Sequence, residues 1–175
     1  DGIYINYPPV VEIDTGRVIG YEALARWKEV NGDNISPDVF IKLAESTHQI
    51  RALTRSVVTR TLTEIAPLLR ENKALFVSIN ITTADVTEAD FRMFLEEEVD
   101  KSRLHRKQIV LEITERSTAD HRLLKESLAR LRDYGYRIAL DDFGTGYSNL
   151  DYLSKLSFDF IKIDKIFTDS VGSQS

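Results

Sequence analysis

Cysteine is absent from this chain of 175 residues, which excludes disulfides, thiolate nucleophiles and zinc sites built on sulfur. A reducing compartment is compatible with that absence, and a cytoplasmic location is expected. Basic residues are outnumbered, 23 Lys and Arg against 28 Asp and Glu, for a formal net charge of −5. Non-specific binding to DNA or RNA, which calls for a basic surface, is therefore not expected. No apolar run reaches membrane-spanning length and Asp1-Gly2 does not begin a signal peptide, so no membrane contact is expected of this segment, although a parent protein could be anchored elsewhere. His48, His105 and His121 lack the spacing of metal ligands. Internal repeats and low-complexity tracts are also missing. What remains, 42% hydrophobic and 29% charged residues, describes one globular domain with a sizeable core.

Apolar alternation marks the strands. Ile109, Leu111 and Ile113 share one face of a strand whose other face carries Val110 and Glu112. The same pattern sets Phe76, Ser78 and Asn80 together, then Glu22, Leu24 and Arg26, and finally Phe160, Lys162 and Asp164. Arg137-Ile138-Ala139-Leu140 runs into Asp141-Asp142-Phe143-Gly144-Thr145-Gly146, where alternation would send two adjacent carboxylates in two directions above a tight turn. Five consecutive strands thus carry polar groups near their C-terminal ends: Glu22, Asn80, Glu112, Asp141 with Asp142, and Lys162.

Helical patterns lie between them. Ser36-Pro37 is a helix start, with Phe40, Ile41, Leu43 and Ala44 as its apolar face. Ile50, Leu53, Val57, Leu62 and Ile65 define a second helix. Thr87 and Asp90 resemble a capping box for a third that buries Phe91, Phe94, Leu95 and Val99. Asp120 caps a fourth, with Leu123, Leu124, Leu128 and Leu131 inside and Gly135 as its terminator. Alternating strands and helices imply parallel βαβ units, preceded by an antiparallel hairpin around Asp14-Thr15-Gly16. Functional groups on successive strands favour a barrel, whose site gathers at the C-terminal face, over an open sheet with one crevice and a phosphate loop. A complete barrel takes about 250 residues. The expectation is an α/β fold, a modified TIM (β/α)8 barrel with an antiparallel first strand, incomplete at the C-terminus and excised from a longer multidomain protein.

Glu22, Asn80, Glu112 and Asp141 make an all-oxygen set suited to hard cations such as Mg²⁺ or Mn²⁺. Asp141 could bridge to a second ion shared with Asp142, and two such ions can activate water and stabilise the leaving oxygen of a phosphoester. Lys162 would add positive charge or orient the water, and Arg26 could take a phosphate oxygen. A single Glu or Lys near a strand end is ordinarily just solvated; their joint placement is what carries the argument. Glu96-Glu97-Glu98 reads as a solvated helix face.

The segments Tyr21-Glu22-Ala23-Leu24-Ala25-Arg26-Trp27, Ser78-Ile79-Asn80, Leu111-Glu112-Ile113-Thr114-Glu115, Asp141-Asp142-Phe143-Gly144-Thr145-Gly146-Tyr147-Ser148 and Ile161-Lys162-Ile163-Asp164 resemble, in order and spacing, the motif set of the EAL-domain cyclic di-GMP phosphodiesterases. The resemblance extends over residues 1–175 and implies Mg²⁺- or Mn²⁺-dependent hydrolysis of cyclic di-GMP to the linear dinucleotide. It further implies that Glu22, Asn80, Glu112 and Asp141 bind one metal and Asp141 and Asp142 the other. Lys162, Glu22 and Asp142 would be catalytic, and Arg26 and Leu24 would meet the ligand. Glu115 would brace the loop after Asp142, through which, with its neighbouring helix, the family forms homodimers. Pro8 departs from the family's usual glutamine, and a glutamate and a glutamine from later strands fall outside the sequence, so the last two strand–helix units are expected to be lacking and the fragment alone to turn over poorly. Two other classes stay open: a cyclic di-GMP receptor or interaction module without chemistry, and a metal-dependent barrel enzyme that abstracts a proton beside a carboxylate.

Overall fold

The computed structural model describes residues 2–29, 31–114, 121–143, 156–164 and 166–167. Its strands are β1 (Ile3–Asn6), β2 (Pro9–Val11), β3 (Val18–Lys28), β4 (Asn34–Ile35), β5 (Phe76–Asn80), β6 (Ile109–Thr114), β7 (Arg137–Phe143) and β8 (Phe160–Ile163). The helices are α1 (Pro37–Ser46), α2 (Ile50–Glu71), α3 (Thr83–Thr87), α4 (Ala89–Ser102) and α5 (His121–Asp133).

β1 and β2 both pair antiparallel with β3, as the hairpin signal predicts. They are separate strands because Pro8 and Pro9 have no N–H to donate to a continuous ladder. Pro8 still contributes its carbonyl, which accepts the Glu22 N–H at 3.0 Å. From β3 onward every step, through β5, β6, β7 and β8, is parallel. Among the described residues β1 and β8 do not pair, so the sheet is an open portion of a TIM-type barrel.

Alternation gives the sheet two faces. Outward, Ala23, Val77, Ile79, Ile109, Leu111, Ile113 and Ile138 join Val58, Leu62, Leu69, Leu95, Leu124 and Leu128 of the helices in the main core. Inward, the N-terminal end of the sheet is filled by Phe76, Val110 and Ala139 with Val10, Ile19 and Phe160 against them. The Phe76 and Phe160 rings stack at 5.7 Å and the Arg137 guanidinium lies over both. Gly20 is required here, since a Cβ at that position would sit 2.7 Å from the Phe76 ring. This apolar floor leaves the opposite, C-terminal end of the interior for polar groups.

Several local expectations are corrected. The capping box belongs to Thr82 and Asp85 at the start of α3, where Thr82 Oγ1 accepts from the Asp85 N–H at 3.1 Å and the Asp85 carboxylate accepts from the Thr82 N–H. α4 begins at Ala89 after Glu88 without a side-chain cap. Ser36 occupies the cap position of α1 but its hydroxyl makes no capping bond, and of that helix's apolar residues only Phe40, edge-on to Trp27, is buried. On α5, Leu124, Leu128 and Leu131 form the buried stripe while Leu123, rotated by about 100° from Leu124, is exposed. The acidic run on α4 is not simply solvated: Glu96 accepts from Arg106 at 2.7 Å and from the Tyr136 hydroxyl, and Glu98 is buried in a 2.9 Å ion pair with Lys101. Asp120 lies outside the described residues.

Candidate active site

Neighbouring parallel strands bring the predicted carboxylates to one level. The register sets Glu22 beside Ser78, Asn80 beside Glu112, and Thr114 beside Asp141. Between β7 and β8 the register shifts: Leu140 pairs with Ile161 and Phe143 with Ile163, so Asp141 and Asp142 together oppose Lys162. Plain strand alternation is thus replaced at this point by a bulge, a device that re-aims side chains next to active sites. Asp142 takes up the extra residue in a left-handed conformation, φ 55°. Its N–H donates to Asp141 Oδ1 at 2.9 Å.

Glu22, Glu112 and Asp141 each present a carboxylate oxygen, and the three lie within 4.8 Å of one another. Lys162 Nζ sits among them, 2.8 Å from Glu22 Oε1, 2.9 Å from Glu112 Oε2 and 3.3 Å from Asp141 Oδ2. Glu112 is the most enclosed, with 3% of its side chain exposed. Burial pushes its carboxyl above the usual range, and the Lys162 ammonium and the Ser78 hydroxyl pull only partly the other way. For Lys162 burial pushes downward, but Glu112, Glu22 and Asp141 more than offset it and the ammonium is held above its usual range. Three convergent carboxylates around a bound cationic group are a donor set that fits a hard divalent cation. Ser78, 2% exposed, is a contributor that the sequence reading left without a role. Its signal is its place two residues before Asn80 on the same strand face.

Leu24, Arg26 and Asn80 border the neighbouring cavity, of about 430 Å³, together with Phe40, Thr82 and Thr114. Arg26 donates to the Ala25 carbonyl at 2.9 Å and makes no ion pair among the described residues. Asn80 is brought by the register to Glu112, at the edge of the carboxylate group. Glu115 and the loop from Gly144 onward lie outside the described residues. Among the described residues no histidine joins this or any other metal-type cluster.

The EAL domain family matches residues 1–175. A probable cyclic di-GMP phosphodiesterase, PdeB of Escherichia coli strain K12, is 37% identical over 169 residues, covering 97% of this chain and 33% of that protein. The cyclic di-GMP phosphodiesterase PA2567 of Pseudomonas aeruginosa is 36% identical over 180 residues, covering 99% of this chain and 30% of that protein. The chain therefore spans about a third of the length of these curated relatives. Among solved structures, the EAL enzyme Bd1971 in its cAMP- and cyclic-di-GMP-bound form superposes with a TM-score of 0.89 at 33% identity, over 99% of this chain and 48% of that one. The PaMucR phosphodiesterase in complex with c-di-GMP gives a TM-score of 0.90 at 28% identity, over 99% of this chain and 71% of that one. By its match over every residue, its shared fold and its relatives, this chain belongs to the EAL domain family.

Proposed function

We propose that this chain is the catalytic part of a metal-dependent phosphodiesterase that hydrolyses cyclic di-GMP to the linear dinucleotide. The observation that carries this reading is the convergence of Glu22, Glu112 and Asp141 at the C-terminal end of a partial barrel in a member of the EAL family. Glu22, Asn80, Glu112 and Asp141 would hold one Mg²⁺ or Mn²⁺, and Asp141 with Asp142 a second. Such ions, when bound, supply Lewis acidity and lower the pKa of water.

The chain's own residues bind and orient. Arg26, which makes no ion pair among the described residues, offers a planar fork of donors to a phosphate, and Leu24 supplies apolar wall to the same cavity. Lys162 places a cationic donor where negative charge accumulates on the reacting phosphodiester. Glu112, buried and bonded to Lys162 at 2.9 Å, has little freedom to move, which pre-organises the level at which the substrate must react. Asp142 keeps Asp141 in one rotamer through its N–H. A receptor without chemistry would have no use for this retained acid set, and a proton-abstracting barrel enzyme would not need the paired aspartates. Homodimerisation through the loop after Asp142, with Glu115 as its brace, a cytoplasmic setting and a multidomain parent belong to the same proposal. Among the described residues no helix is long and apolar enough to cross a membrane.

The test is turnover of cyclic di-GMP by the full-length protein with Mn²⁺ or Mg²⁺, followed by separation of the linear product. Asp141→Asn should lower kcat by a factor on the order of 10² or more. Unchanged turnover in that variant would overturn the assignment.

A further inference from the structure

Ile81 and Thr82 are the whole connection between β5 and α3, and they follow directly on Asn80, the only exposed member of the donor set proposed for the first metal. We infer that Asp85, buried in the first turn of α3, is a positioning residue for that metal site: it fixes Thr82, and through the short backbone from Thr82 back to Asn80 it sets the placement of the Asn80 amide beside Glu112. The inference rests on the metal reading above and adds to it a residue that touches neither metal nor substrate.

Four hydrogen bonds immobilise Thr82. Its N–H and its hydroxyl both donate to Oδ2 of Asp85, at 3.2 and 2.6 Å, its Oγ1 accepts the Asp85 N–H at 3.1 Å, and its carbonyl accepts the Val86 N–H at 3.1 Å. On the other side of Asn80's exit from the strand, the Ile81 N–H donates to the Glu112 carbonyl at 2.9 Å and the Ile81 side chain is buried in the main core. Asn80 therefore leaves β5 on a backbone tied to Glu112 by one residue and to Asp85 by the next. Thr82 and Thr83 also border the cavity of Leu24 and Arg26, so the same clamp holds part of the cavity wall.

A capping box ordinarily serves the helix that it opens. This helix has only five residues, too few to be stable by itself, and it is seated independently by Val86, 5% exposed in the core. Asp85 is 1% exposed and makes no ion pair among the described residues. Burying a carboxylate in this way is costly to stability. What it supplies is two hydrogen bonds of fixed direction to the residue two positions beyond Asn80, which is a gain in geometry. Outer groups of this kind, which orient a ligand without touching the metal, carry a measurable share of metal affinity.

The experiment is calorimetric titration of the full-length protein with Mn²⁺ alone, in wild type, Asp85→Ala, Thr82→Val, Thr82→Ser and Gly20→Ala, each held well below its own thermal midpoint. Thr82→Val removes the hydroxyl from a side chain of similar shape, Thr82→Ser keeps it, and Gly20→Ala destabilises the floor of the interior, away from the site. The expected result is Mn²⁺ binding weaker by about tenfold or more in Asp85→Ala and several-fold weaker in Thr82→Val, with affinity close to wild type in Thr82→Ser and Gly20→Ala. Wild-type affinity in Asp85→Ala would reduce the box to a stability device and overturn the inference. An equal loss in Gly20→Ala would overturn it too, by tracing the effect to general loosening. Should Asp85→Ala not fold, the contrast between Thr82→Val and Thr82→Ser decides the matter, and equal affinities in that pair refute the clamp. Absence of Mn²⁺ binding in wild type would overturn the metal reading and the positioning role with it.

Discussion

The backbone N–H of Asp142 donates to Asp141 Oδ1 at 2.9 Å, while Oδ2 of the same carboxylate lies 3.3 Å from Lys162 Nζ. One aspartate therefore orients the other through its peptide group, and it can do so because Asp142 adopts φ 55° at the bulge. For a residue with a Cβ that conformation costs about 1–2 kcal/mol. Asp142→Gly and Asp142→Ala remove the same carboxylate but differ in this cost. Asp142→Gly should be the more stable of the two by about 1 kcal/mol in denaturant unfolding. Equal stabilities would show that the bulge relaxes once the carboxylate is gone.

Gly20 is held to its size by a ring. A methyl group at that position meets Phe76 at 2.7 Å, and Phe76 is itself fixed by its stack with Phe160 and by Arg137 above both. Gly20→Ala should cost about 1–3 kcal/mol, the usual penalty for overpacking, measured by urea unfolding with an unchanged m-value. The damage belongs to the floor of the interior, so Mn²⁺ binding at folded concentrations should be preserved.

How much of this was legible beforehand depends on the range of the interaction. Alternation is local, so the inward placement of Glu22, Ser78, Glu112 and Lys162 followed directly from the strand patterns. The capping box did not: Thr87 with Asp90 and Thr82 with Asp85 have the same spacing, and the choice between them is made by where Val86 and Phe91 must be buried. Glu96 and Glu98 looked solvated because their partners Arg106, Tyr136 and, for Glu98, a buried helix face are set by packing rather than by sequence proximity alone. The bulge at Asp141-Asp142 was hidden for a similar reason, since a register shift is a property of two strands and only one is visible in a local pattern. Lys162 was anticipated as a neighbour of the reacting phosphate, whereas its position at the focus of three carboxylates needs the curvature that brings β3 and β8 within reach.

Glu98 makes stability sensitive to acid. Burial alone would raise its carboxyl, but the Lys101 ammonium and the Thr59 hydroxyl more than offset it, leaving the folded value below the ordinary 4.5. A depressed folded pKa stabilises the protein above the unfolded value, and that stabilisation is lost as the pH falls through the folded one. Wild type should therefore exceed Glu98→Gln in unfolding free energy at about pH 6, with the gap narrowing once the pH drops below the ordinary carboxylate range. A gap that stays constant down the titration would show that the side chain contributes by packing and not by charge.

Arg26 offers the cleanest separation of binding from folding. Its Nη1 donates to the carbonyl of the preceding residue, it makes no ion pair among the described residues, and it borders the cavity beside the carboxylate group. Replacing it with methionine keeps most of the aliphatic stem, so packing against the cavity wall survives. Stability should then change by no more than about 0.5 kcal/mol. If Arg26 grips a phosphate of cyclic di-GMP, affinity for that ligand should fall by about tenfold or more, the loss expected for a charge-assisted, forked contact. Arg26→Lys should recover only part of the loss, because an ammonium restores charge without the planar pair of donors. Calorimetric titration of the full-length protein with cyclic di-GMP, alongside thermal unfolding of each variant, reads both quantities. Full recovery by lysine would mean that the contact is a point charge, and unchanged affinity in Arg26→Met would remove Arg26 from the ligand site.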